Sequence, residues 1–409
     1  MKSPIAFLIV ILFVLTQACN QLPETQAHLT KTASQNNIPE LLQRAEGVGI
    51  AAEQEKSANR FATLYKAIEA NPENVESYLS MAELFMWEAR ITGEHGHYYP
   101  AALYMIETAL EHEPTPDETF QGLSYKASVL LSLHQFDKAK KVAEQAVALN
   151  PHNAQIYGAL VDAHVELGEY EKAVAMADKM VSIRPDLRSY SRISYLREIY
   201  GDVDGAIEAM NMAVKAGLPG TEEAAWTRLT LGNLYAEYGK NAEAKAQYEQ
   251  ILRERPDYPF ATAALAELEA KAENYTEAEK LLKEAITRIP EVGFYHELAL
   301  IYQKTGRKAE KEQLITEIQE MLKDDEAHGH KMGLEYASLH LELNDQPQKA
   351  LLYALEEYEA RPANIDVNAM LAKVYQKLGD GSNMKKHLEM AQVTNSKNPA
   401  ILALVEVLD

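Results

Sequence analysis

Beyond about residue 40, apolar positions recur every three or four residues, the spacing of one helix face rather than the alternation of a strand. From Ala154 to Pro185 the recurring positions are Tyr157, Leu160, Val161, Tyr170, Ala173, Ala177 and Met180, with Gly168 between two runs. The figure returns from Ala225 to Pro256 (Leu231, Gly232, Tyr235, Gly239, Ala244, Tyr248, Ile251) and from Pro259 to Pro290 (Leu265, Ala266, Tyr275, Ala278, Leu282, Ala285). Proline sets the period. Pro151 and Pro185 lie 34 residues apart, as do Pro256 and Pro290, at places where a missing N–H and a fixed φ disturb a helix least. Each unit therefore predicts two amphipathic helices around a glycine turn at 168, 201, 239 or 306. Small residues predict close helix approach: Ala127, Gly232, Ala266, Ala299 and Ala372 in first helices, and Ala139, Ala173, Ala206, Ala244 and Ala278 in second helices.

These residues resemble the tetratricopeptide repeat family over about residues 41 to 398. The resemblance implies an all-α fold, an α-solenoid wound as a right-handed superhelix of helix–turn–helix repeats. It also implies a concave groove, lined by first helices, that binds a protein or peptide. Departures are visible. Tyrosines 78, 157, 190 and 295 stand where the family has tryptophan, and Lys311 stands where it has alanine. Residues 91–100 read as an insertion in a hairpin turn. The stretch from Arg184 to Tyr200 is similar to a subgroup of exported bacterial members. By family position, the groove would be lined by Asp162, Glu166, Arg188, Tyr195, Glu198, Trp226, Asn233, Glu237, Phe260, Glu267 and Lys271. Arg188 and Arg192 share a helix face. With Tyr195 and Arg197 they make the most unusual patch on the chain, fit to grip a carboxylate or phosphate or to pair with Asp186, Glu198, Asp202 and Asp204.

A chain of 409 residues is long for one core, but an array grows by stacking. Its 40 basic and 61 acidic side chains give a net charge of −21, which repels nucleic acid on average. That acidity reads as a solvated surface or, more sharply, as a groove that selects basic partners. The single cysteine, Cys19, leaves the rest of the chain without disulfide, thiolate nucleophile or cysteine-held zinc.

Cys19 ends a leader. Lys2, the apolar run Ile5–Leu15 and the small residues Thr16 and Ala18 have the form of a secretion signal, too short to span a bilayer. The arrangement resembles a bacterial lipoprotein leader, which implies diacylation of Cys19. The family prefers leucine where Thr16 stands, and the other outcome is plain cleavage. The organisation expected is a signal peptide at 1–18, a polar tether at 19–37 and about ten repeats at 38–409.

Two His-Gly-His triplets, at His95–His97 and His328–His330, have metal-binding chemistry but no further ligands at fixed spacing, so solvated loops are expected. Gly47-Val48-Gly49-Ile50-Ala51-Ala52 matches a dinucleotide fingerprint formally. It follows the helical pattern of Leu41–Glu46 and not a strand, which removes it. No catalytic motif and no cofactor are expected. The reading is a non-enzymatic scaffold of the bacterial cell envelope (periplasm or outer membrane), lipid-anchored and binding a protein or peptide. The second reading is a metal-handling envelope protein using His95, His97, His328 and His330.

Overall fold

The computed structural model describes residues 38–407; the leader, Cys19 and the tether lie outside the described residues. Helix α1 (Ala51–Ala70) leads into nine antiparallel pairs. The first five are α2 (Val75–Thr92) with α3 (His95–Glu111), α4 (Pro116–Ser132) with α5 (Phe136–Leu149), α6 (Ala154–Glu166) with α7 (Tyr170–Ile183), α8 (Leu187–Ile199) with α9 (Val203–Ala216), and α10 (Glu222–Glu237) with α11 (Asn241–Glu254). They continue with α12 (Pro259–Lys271) and α13 (Tyr275–Arg288), then α14 (Val292–Lys304) and α15 (Lys308–Ala327). In the eighth pair α16 (Gly333–Ser338) runs on as a π-helical turn, Leu339–Leu343, before α17 (Pro347–Ala360). Helices α18 (Ile365–Leu378) and α19 (Gly381–Ala391) form the ninth pair, and α20 (Pro399–Glu406) closes the array. Among the described residues there is no strand, so the chain is an all-α solenoid.

Local chemistry starts the helices where the sequence indicates. Asn74, Thr115, Asn153, Asp186, Thr221 and Asn364 each cap a first helix by accepting from a backbone N–H two or three residues on. The small residues act as anticipated. All nine of the alanines named above are fully buried, and a Cβ at Gly232 would lie 2.3 Å from the Tyr248 ring. Neighbouring first helices pack on one another (α2 on α4, α4 on α6, α6 on α8, α10 on α12), whereas second helices show no comparable contact. First helices are therefore the closely spaced inner layer, and second helices the outer one.

Two local expectations are corrected. Residues 91–100 form no expanded turn; Gly93 and Glu94 suffice, and the extra residues lengthen α2 and α3. Leu41–Glu46 is not helical, because tertiary contacts take its polar groups. Arg44 forks onto Glu88 (2.6 and 2.8 Å), with both side chains 1% exposed, and the Leu42 N–H donates to the Tyr98 hydroxyl. The Lys311 ammonium reaches forward 2.9 Å to the Leu343 carbonyl at the end of the π-helical turn.

The superhelix meets itself. Lys331 N–H donates to the Leu133 carbonyl, and the Gln135 amide donates to the Gly329 carbonyl (2.7 Å). The buried Arg361 pairs with Glu166 and lies 4.9 Å over the Phe136 ring, while Asn364 donates to the Glu166 carbonyl and Ile365 N–H to the Tyr170 hydroxyl (2.8 Å). Arg255 forks onto Glu53 at 2.9 and 3.0 Å. The hydrogen-bonded partners are 194 to 202 residues apart in sequence. Set against a 34-residue unit, one superhelical turn takes just under six units, after which the next turn docks on the first.

Candidate interior binding surface

The inner helices carry aromatic residues near their starts and carboxylates near their ends. Trp226 on α10 is 50% exposed and meets Phe260 on α12 edge-to-face (ring centres 5.8 Å apart, 88°). Phe260 meets Phe294 on α14 in the same manner at 5.6 Å. These are the preferred geometries for aromatic pairs. The rings thus form a continuous strip over three units that is open at its Trp226 end.

Beside that strip run Glu198, Glu237, Glu267 and Glu297, one from each of four successive inner helices. Among the described residues none of the four forms an ion pair. The wall crowds them: desolvation raises the Glu198 carboxyl to about 7, helped by Glu237 and Asp366. Desolvation likewise raises Glu297 to about 7, helped by Glu267 and Glu342, and it raises Glu267. Asp366 on α18 is raised by the same desolvation from across the interior. Lys271 offsets part of the charge at Glu267 and Glu297, the crowding outweighs it, and an incoming cation would lower each of these pKa values.

The sequence-derived groove residues divide into two sets. Tyr195 (41% exposed), Trp226, Phe260 and Asn233 remain available, although the Asn233 carbonyl oxygen already accepts from the Tyr248 hydroxyl at 2.8 Å. Arg188 is exposed, and its backbone N–H is what contacts Asp186. Arg192, Asp162 and Glu166 are engaged within the solenoid. Arg192 forks onto Asp162 of the preceding unit and also donates to the Gly158 carbonyl, and Glu166 holds Arg361 of the next turn. Arg197 turns outward to the Gly205 carbonyl, near Asp202 and Glu208. The arginine cluster is thus mostly an internal brace. Glu297 and Asp366 are not among the sequence-derived groove residues, and their inner-helix position was the available signal.

The two His-Gly-His triplets meet. His95 and Gly96 lie in the first turn of α3 and not in a loop, and a Cβ on Gly96 would stand 2.9 Å from His328 Nδ1. The ring centres of His95 and His330 are 6.0 Å apart, and His134, which no sequence pattern marked, lies 6.5 Å from His330. His97 points away, with Nε2 on the Glu40 carbonyl.

Models of the tetratricopeptide repeat match residues 130–197 and 229–292. A stretch of 158 residues, 36% of this chain, is 23% identical to cellulose synthase operon protein C of Pseudomonas fluorescens (strain SBW25) and spans 12% of that protein's length. The solved human IFIT1 dimer with PPP-AAAA is 15% identical, with 79% of this chain and 73% of that chain covered and a TM-score of 0.50, which is a likeness of fold. The Pseudomonas aeruginosa pilF structure is 16% identical, with 50% and 93% covered and a TM-score of 0.40.

Proposed function

Because this chain is a tetratricopeptide-repeat protein, we propose that it is a scaffold holding a basic segment of a partner protein inside its superhelix. Arrays of this type present extended concave surfaces, and their trade is protein interaction rather than catalysis. The observation that carries the choice of partner is the open aromatic strip from Trp226 to Phe294 lying beside four unpaired glutamates. An aromatic or aliphatic anchor would seat against Trp226, and lysine or arginine side chains would neutralise Glu198, Glu237, Glu267 and Glu297. Residues 1–19 support a membrane tether through a lipidated Cys19 in a bacterial envelope, with the polar residues to 37 as spacer.

The chain has two tryptophans, Trp87 and Trp226, so in a Trp87→Phe background emission reports on Trp226 alone, and calorimetric titration reads the variants. Titrating a lysine- and arginine-rich peptide should change Trp226 emission, with affinity falling as salt rises. An acidic peptide of equal length should not bind. Trp226→Ala and a combined Glu198→Gln/Glu237→Gln variant should each weaken binding more than about tenfold, the loss of one interfacial anchor, without lowering the unfolding midpoint. Equal binding of the acidic peptide, or full affinity in both variants, would remove this reading. For the tether, Cys19→Ser should abolish incorporation of labelled fatty acid and release the protein from membranes.

A further inference from the structure

We propose, resting on the interior's role as a site for a basic partner, that binding there is gated by protons: the partner is held when the wall carboxylates are ionised and released when they are protonated. The arrangement of the row is what makes this possible. Glu198, Glu237, Glu267 and Glu297 come from four successive inner helices, and each feels the carboxylate on the next helix. Two more carboxylates face the row. Asp366 on α18 faces Glu198 across the interior, and Glu342 in the π-helical turn faces Glu297. Countercharges are few. Lys271 on α12 acts on Glu267 and Glu297, Arg361 and Lys373 act on Asp366, and the Tyr238 hydroxyl donates to Glu198 at 3.4 Å. His296, next to Glu297, stands 3.6 Å from Glu342, and burial lowers its pKa.

Like charges crowded on a desolvated wall favour the neutral acids while the interior is empty, and Glu198 and Glu297 are each raised to about 7 from an ordinary 4.5. An arriving ammonium or guanidinium reverses this, because an opposite charge at close range favours the ionised acid. Binding therefore expels protons, and by linkage added protons expel the partner. The sign follows from which state holds the protons more tightly. The empty chain does, so affinity is full above about pH 7 and falls as pH drops below it. A carboxyl that moves from about 7 to well below 5.5 on binding contributes a factor of about thirty between pH 8 and pH 5.5. Lysine and arginine on the partner keep their charge throughout that range, so the wall alone switches. Carboxylates left at the ordinary 4.5 would give nearly equal affinity at both values.

The test is calorimetric titration of the full chain with a peptide rich in lysine and arginine, free of histidine, acetylated and amidated so that only the protein titrates. Affinity at pH 5.5 should be more than about tenfold below that at pH 8. At pH 6.5, heats measured in two buffers of different ionisation enthalpy should show about one to two protons released per peptide bound. In a Glu198→Gln/Glu297→Gln variant the amides copy the neutral acids. Its affinity at pH 8 should fall toward that of the original chain at pH 5.5, and its proton release should drop by at least about half; circular dichroism verifies its fold. Equal affinity at the two pH values, or binding without proton release, overturns the gating and leaves the basic-partner reading standing. So does a pH dependence undiminished in the double variant. Absence of binding at pH 8 removes the basic-partner reading and the gating together.

Discussion

The α6–α7 and α10–α11 hairpins are alike in sequence and differ in their surroundings. Each ends its inner helix on a glycine with φ of +74°, Gly168 in one and Gly239 in the other. Around Gly239 there is open space. At Gly168 a Cβ would stand 2.4 Å from the Ala363 carbonyl carbon, because the next superhelical turn passes directly over it. Gly201, in the pair between them, meets Asn395 in the same way. Glycine answers one demand at position 239, the left-handed backbone, and two at position 168. Units that read as equivalent along the chain therefore carry unequal loads once the array is wound, and the load is greatest where turns meet.

The largest expected difference comes from arginines. Arg361 is buried at the joint between Glu166 and Glu357, so Arg361→Ala should cost about 3 kcal/mol by stranding their charge. Arg307 sits at the α14–α15 turn away from the joint and pairs with Glu279 and Glu310 in solvent; Arg307→Ala should barely move the urea midpoint. Equal losses would show that the turns do not dock in solution. A second contrast uses the glycines. Gly239→Ala should cost about 1 kcal/mol for the left-handed backbone alone, and Gly168→Ala about 2–3 kcal/mol once overpacking is added. Chemical denaturation of the two variants side by side reads this.

The smallest effect sharpens the interior half of the comparison. The Glu198 carboxyl is raised to about 7 from an ordinary 4.5, so the folded chain binds its proton more tightly than the unfolded chain does. Stability from this group is present below about pH 4.5 and is lost as pH rises through 7. Glu198→Gln should therefore raise the unfolding midpoint at pH 8 and leave it almost unchanged at pH 4. A rise at both values would mean that packing, not charge, is responsible.

Much of the architecture was legible. Helix periodicity, the buried alanines and the glycine turns are local or nearest-neighbour demands, and each hairpin repeats them. The errors fell where distant groups intervene. Leu41–Glu46 has a helical pattern, yet Arg44 is drawn out to Glu88. Arg192 was open to a ligand or to Asp186, Glu198, Asp202 and Asp204, yet the partner it takes, Asp162, lies one unit back. Half of the candidate site was readable for the same reason. Trp226, Phe260 and Tyr195 follow from their register on inner helices, whereas Asp366 gains meaning only when the next superhelical turn brings it across from Glu198.

The sequence by itself determined the unit: two amphipathic helices, their caps, their close approach and an acidic, strand-free surface. The superhelical pitch was decided only in three dimensions, and with it the joint, the buried arginine pairs and the meeting of the two histidine triplets. The reason is additive. Each unit contributes a small rotation, and whether nearly six of them bring the chain back onto itself depends on their sum, which no single repeat encodes.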